Sequence, residues 1–177
     1  MNVTLGFDVE EFDFPLERGR EIDLGTQLSV SAEGLEFLLE LLSRLDLRAT
    51  FYTTANFALH RTDLVRRIVA GGHEVASHDY CHGLTAGADP AGSRRVLEEL
   101  TGQRIVGYRA PRLAVASSAA LRDAGYADMD SDTLQQPPGS AFRVAGGGAH
   151  DLSGFGLRAF PGAAVLDFAA RHAAADL

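Results

Sequence analysis

LRATFYTTANFALHRTDLVRRIVAGGHEVAS, residues 47–77, holds two short apolar runs with a helical segment between them. Leu47–Tyr52 reads as a strand, rich in apolar and aromatic side chains. A helix follows near Asp63 to Ala70 and stops at the pair Gly71 and Gly72. His73–Ser77 then returns to strand character. Strand, helix and strand in 31 residues is the spacing of a parallel crossover, because a hairpin turn can join only antiparallel strands. Working outward, Val3–Phe7 reads as an earlier buried strand. Ser31 is suited to cap a helix whose Leu35, Leu38, Leu39, Leu42 and Leu45 share one face. Downstream, Asp89 and Pro90 supply a cap and a first-turn proline for a helix that runs to Thr101 and ends before Gly102. Ile105–Tyr108 makes a fourth strand, Ser118–Ala124 a short helix, and Tyr126–Asp130 a fifth strand. Repeated strand–helix units predict an α/β fold with a parallel sheet, as a barrel or a doubly wound sheet. Both topologies gather their chemistry at the carboxyl ends of the strands.

The bulk composition narrows the function classes. With 177 residues, 46% hydrophobic and 23% charged, the chain suits one compact domain over 1–177. A net charge of −8 and a pI near 5.1 oppose non-specific attraction to phosphate backbones and anionic membrane surfaces, so no nucleic-acid partner is expected. The opening Met1–Asp8 lacks a basic and apolar leader, and no window approaches the roughly 20 apolar residues of a membrane span. No membrane insertion and a cytoplasmic location are the expectations. The single cysteine, Cys81, has no internal disulfide partner, in keeping with a reducing compartment. It lies between two histidines, where a thiolate ligand or nucleophile is conceivable, but a free cysteine more often packs as a small buried apolar group.

The polar constellations all follow predicted strands: Asp8–Glu11, Thr53–Asn56, His78–His82 and Arg109–Arg112. His78 and His82, four apart in SHDYCH (residues 77–82), combine with a carboxylate of the first loop into a three-ligand divalent site that leaves positions for water and substrate. That is the pattern of hydrolytic zinc, and iron or cobalt suits the same donors. On an extended segment residues i and i+2 point the same way, so Asp8 and Glu10 can face one centre while Val9 packs behind. Such a pair suits a base and a ligand.

Four segments, FDVEEF (7–12), ATFYTT (49–54), GHEVASHDYCH (72–82) and GYRAPRL (107–113), together resemble the first motifs of the polysaccharide deacetylases, the carbohydrate esterase 4 superfamily, over roughly residues 3–130. The resemblance implies a distorted (β/α) barrel and a metal-dependent hydrolase that removes acetyl groups from N-acetylated sugars or polysaccharides, so a carbohydrate is the implied substrate. Asp8 matches the general base. His78 and His82 match the two histidine ligands of one divalent metal ion, zinc in the first place. In the family the carboxylate ligand directly follows the base; Val9 stands there, so the resemblance gives the ligand role to Glu10. In the alternative ordering, Asp8 binds the metal and Glu10 or Glu11 is the base. Arg109 matches the arginine that orients the base and holds it ionised. A backbone N–H between Tyr108 and Arg112 is the expected oxyanion donor.

Beyond Asp130 the resemblance stops. The family's acid histidine lies on a last strand in a Leu-x-His or His-Pro-Trp-Glu context, and no such motif occurs. The expectation is an incomplete (β/α) barrel whose last strand and motif are missing, with a terminal helix over Ala163–Ala175. His150, in a loop, is the substitute catalytic acid; His172, on that helix, is the weaker one. Two other functions stay open beside deacetylation. One is hydrolysis of another C–N bond, such as a cyclic imide or ureide. The other is a catalytically impaired remnant that binds metal or carbohydrate.

Overall fold

The structure is a computed structural model that describes residues 5–82, 88–113 and 118–129, with the backbone of 142–144 and 148–150. Its contacts divide the chain into two compact units, 3–135, and 1–2 with 136–177. The first contains five strands and six α-helices among its described residues: β1 (Gly6–Val9), α1 (Phe14–Glu17), α2 (Leu24–Leu45), β2 (Thr50–Thr53), α3 (Ala55–His60), α4 (Thr62–Ala70), β3 (Glu74–Ser77), α5 (Pro90–Thr101), β4 (Gly107–Tyr108), α6 (Ser118–Asp123) and β5 (Asp128–Met129). In the second, β6 (Phe142–Val144) and β7 (Gly148–His150) form an antiparallel pair with Phe142 opposite His150.

β1 to β5 are all parallel and lie in sequence order. That order separates the two predicted topologies. A doubly wound sheet reverses its strand order at a switch point, whereas here each strand is laid beside the previous one, as in a (β/α) barrel. The sheet is open among the described strands, with β1 and β5 at its edges. It is the arc of an incomplete barrel.

Local chemistry explains most element boundaries. α2 begins seven residues before Ser31, because the Asp23 side chain accepts a hydrogen bond from Thr26 N–H at 2.9 Å and opens the helix there. The predicted cap at Ser31 lies inside the helix, where the leucine stripe already extends upstream through Leu28. α3 is a helix that the sequence pattern had not disclosed. Thr54 caps it by accepting from Phe57 N–H at 3.2 Å, and it buries Ala55, Phe57 and Ala58 in a stretch too short to show a period. α5 starts and stops at the predicted residues, since Asp89 caps Gly92 N–H at 2.8 Å and Gly102 takes φ +67°, a left-handed stop that a Cβ would strain. β1 runs from Gly6 to Val9 and so includes Asp8, while Val3 and Thr4 of the predicted strand lie outside the described residues.

The helices cover one side of the sheet through an apolar core of Leu35, Leu39 and Leu42 from α2, Leu64, Val65 and Ile68 from α4, Leu97 from α5, and Phe51, Val75 and Ile105 from the sheet layer. Full burial of each large apolar side chain contributes about 1.5–3 kcal/mol. The core therefore fixes the strands that carry the polar loops. Among the described residues no helix is long and apolar enough to cross a membrane.

Candidate metal centre

Register brings the loops together. Val9 pairs with Thr53, Thr53 with Ser77, and Ser77 with Tyr108, so four strands end on one level. The residues immediately after them emerge side by side, tied by Thr54 N–H to the Val9 carbonyl, His78 N–H to the Thr53 carbonyl and Arg109 N–H to the Ser77 carbonyl. The third bond narrows the choice of oxyanion donor. The Arg109 N–H is committed to the ladder and Pro111 has none, so neither serves as an oxyanion donor.

Val9 is buried in the core, and Asp8 and Glu10 flank it on the open side, as the alternation along β1 requires. Glu10 meets both histidines: its Oε2 lies 2.9 Å from His78 Nε2 and 3.3 Å from His82 Nε2. One ligand atom from each of the three residues falls within 4.8 Å of the others. Asp8 Oδ1 accepts from Arg109 Nη1 at 2.6 Å. Glu11 turns away from this centre. It is buried, and its carboxylate accepts from the Thr54 hydroxyl at 3.0 Å and from the Asn56 side-chain amide. That removes Glu11 from the choice of base and gives Thr54 and Asn56 the task of pinning the first loop.

An outer partner fixes the His78 tautomer. His78 Nδ1–H donates to the Arg109 carbonyl at 2.8 Å. His82 Nδ1 has the Asp13 carboxylate at 3.1 Å. With a proton on each Nδ1, both Nε2 atoms present lone pairs toward Glu10. Glu10 Oε2 is itself buried and has no hydrogen-bond donor aligned on it. Three lone pairs converging on one point, one of them on an orphaned carboxylate oxygen, is an arrangement that a divalent cation satisfies. Burial alone would pull the His78 imidazole down; the carboxylates of Glu10 and Asp8 outweigh it and raise its pKa, so a proton and a cation compete for the same Nε2.

Two features of this end escaped the sequence reading. Asp79 adopts φ +62° and is buried, accepting from Tyr108 OH at 2.6 Å, Tyr80 N–H at 2.7 Å and Asp89 N–H at 2.8 Å. It braces the backbone between the two histidines. Tyr52 stacks on the Arg109 guanidinium, 3.8 Å from ring centroid to Cζ, and Gly6 leaves room for both: a Cβ there would sit 3.1 Å from Arg109 Nη2 and from the tyrosine ring. His60 and His73 stand outside the cluster; His60 Nδ1 bonds the Asn56 carbonyl at 2.8 Å, and His73 precedes β3 at its amino end. His150 lies at the end of β7, in a strand rather than a loop, with its backbone alone described. His172 and the predicted helix over 163–175 lie outside the described residues.

Comparison with known proteins agrees with this architecture. A family model described as "Polysaccharide deacetylase" matches residues 23–129. A chitin deacetylase from Colletotrichum lindemuthianum is 34% identical over 110 residues, covering 54% of this chain and 44% of the relative. Among solved structures, a Mycobacterium smegmatis protein assigned to the polysaccharide deacetylases superposes with a TM-score of 0.55 at 27% identity, covering 70% of this chain and 48% of the other. An allantoinase shares the fold at TM-score 0.53 and 23% identity, over 74% of this chain and 54% of its own. The chain spans less than half the length of the curated relatives it matches. With the family model covering more than half of the sequence, from the α2 cap to β5, the chain belongs to the polysaccharide deacetylase family.

Proposed function

We propose that this protein hydrolyses the N-acetyl amide of a carbohydrate, using one divalent ion, zinc in the first place, held by Glu10, His78 and His82. The observation that carries the reading is the convergence of two Nε2 lone pairs on a buried carboxylate oxygen with no aligned donor, beside an aspartate gripped by an arginine. Similarity to a chitin deacetylase supports the substrate class. When bound, the ion supplies Lewis acidity toward water and toward an acyl carbonyl.

The chain's own groups have separate tasks. Asp8, 42% exposed and reachable from solvent, takes the proton of the attacking water. Arg109 holds the Asp8 carboxylate in orientation, and Tyr52 holds Arg109. Glu10 serves as ligand and Asp8 as base, because Glu10 contacts both imidazoles while Asp8 contacts the guanidinium. Neither His60 nor His73 is placed to protonate a leaving amine, so turnover by the groups of this centre is expected to be slow. A positioned acid typically contributes about 10²–10⁴-fold.

Metal analysis of the purified protein, combined with deacetylation assays on N-acetylglucosamine oligomers with and without chelator, tests the reading. About one zinc per chain and slow, chelator-sensitive acetate release are expected. Zinc stoichiometry near zero, unchanged by His78→Ala, overturns the metal centre. Zinc bound without acetate release on any oligomer overturns the activity, and a cyclic ureide in the substrate panel decides whether a different C–N bond is cleaved.

A further inference from the structure

Sequence alone assigned no role to Asp13 or to the side chain of Arg112, yet both reach the outer edge of the site. Asp13 is a carboxylate left only 5% exposed. Its two oxygens are divided: Oδ1 lies 3.1 Å from His82 Nδ1, and Oδ2 accepts from Arg112 Nη2 at 2.6 Å. Arg112 sits in the loop after β4 at φ +54°, a left-handed conformation uncommon for a long side chain. It also pairs with Glu17 of α1. The same Arg112 Nη2 is within hydrogen-bonding geometry of His82 Nδ1, at 3.3 Å. One imidazole nitrogen therefore has two neighbours of opposite kind. A carboxylate oxygen can only accept from it, and a guanidinium N–H can only donate to it.

We infer that Asp13 is a positioning residue that sets the His82 tautomer: it competes with Arg112 for Nδ1 and, while it also holds the guanidinium in an ion pair, favours a proton on that nitrogen. This deepens the proposed metal centre and rests on the reading of His82 as a ligand. With the Nδ1 proton given to Asp13, His82 turns an Nε2 lone pair toward Glu10. Without Asp13, Arg112 Nη2 is the remaining neighbour of Nδ1; it donates there, moves the proton to Nε2, and blocks the ligand atom. Glu17 pairs with the other terminal nitrogen of Arg112, Nη1. Outer partners of metal-bound histidines typically contribute about 10–100-fold in affinity, and here removal of one partner exposes the histidine to the opposite kind of hydrogen bond.

The test uses the full chain with zinc titrated by competition against a chelating dye, and ¹⁵N shifts of the His82 ring recorded on the metal-free protein. Asp13→Ala is expected to weaken zinc binding about 10–100-fold and to move the ring proton of His82 from Nδ1 to Nε2. Asp13→Ala with Arg112→Ala is expected to bind zinc more tightly than Asp13→Ala alone, since no donor faces Nδ1. Asp13→Glu, which keeps the acceptor, is expected to retain the Nδ1–H tautomer. Unchanged ring shifts in Asp13→Ala overturn the inference, as does a double variant no tighter than the single one. If Asp13→Ala does not fold, the same comparison is made between Asp13→Asn and Asp13→Asn with Arg112→Ala. The metal reading fails separately: wild-type protein that binds no zinc defeats it, whereas the ring shifts still decide the role of Asp13.

Discussion

The four residues of β3 separate two buried histidines in opposite surroundings. His73, at the amino end, packs edge-on against Phe51 with ring centroids 5.2 Å apart, and its Nδ1 has no hydrogen-bond partner among the described residues. Burial pushes its pKa down, and the nearby Arg48 adds to that. His78, at the carboxyl end, is buried as well, but Glu10 and Asp8 overcome the burial and raise its pKa. The same residue type at the two ends of one strand has its pKa lowered at one end and raised at the other. Acidic side chains make the difference, because β1 delivers Asp8 and Glu10 to the carboxyl end, while the amino end meets Arg48.

The largest expected effect tests the chemistry of the carboxyl end. Asp8→Asn should reduce kcat by about 10²–10⁴-fold while zinc content stays near that of the wild type; Glu10→Gln should lose zinc first. Measuring both quantities on the same preparations decides the roles, and the reverse pattern exchanges the two carboxylates. The second experiment breaks the comparison between the two histidines directly. His78→Ala should weaken zinc binding by more than the roughly 10–100-fold typical of an outer partner, whereas His73→Phe should leave it unchanged. Equal losses in both variants would mean that the centre depends on the strand rather than on its carboxyl end.

A smaller effect is expected at Arg109. Removing a charge-assisted hydrogen bond costs about 1.5–3 kcal/mol when it is shielded, but Asp8 is 42% exposed and solvent screens the pair. Arg109→Leu should therefore reduce kcat about tenfold with zinc retained; a drop as large as that of Asp8→Asn would show that the arginine itself touches the reacting atoms.

The smallest effect is a pH dependence of stability in metal-free protein, with opposite signs at the two ends. The folded pKa of His73 is depressed, so the unfolded chain binds its proton more readily, and the stability present above about 6.5 is lost as pH falls below that value. The folded pKa of His78 is raised, so its contribution is complete below about 6.5 and is lost as pH rises through the folded value. Urea unfolding between pH 5 and 8 should show His73→Phe losing less stability on acidification than the wild type, and His78→Gln losing less on the alkaline side. Parallel curves for all three proteins would remove the distinction.

Much of this was legible along the chain. The alternation Asp8, Val9, Glu10 alone orients two carboxylates outward, since successive residues of a strand face opposite sides. The cap and proline at Asp89 and Pro90 and the stop at Gly102 mark α5 by strong local chemistry. Other features were hidden for identifiable reasons. α3 is too short to display a period, and Asp23 captures the start of α2 ahead of Ser31. Glu11 looked equivalent to Glu10 until the Thr54 hydroxyl and the Asn56 amide claimed it.

By itself, the sequence determined that the strands are parallel and that polar loops follow them, and it singled out His78, His82 and a carboxylate of the first loop as candidate ligands. These rest on local rules: periodicity, capping and the alternation of side chains. Only the tertiary structure decided that the strands run in unbroken order, that Val9, Thr53, Ser77 and Tyr108 stand in one row, and that Asp13 and Arg112 reach His82 across 69 and 30 residues of chain. Register and long-range hydrogen bonds depend on how the helices pack against the sheet, and no local pattern carries that information.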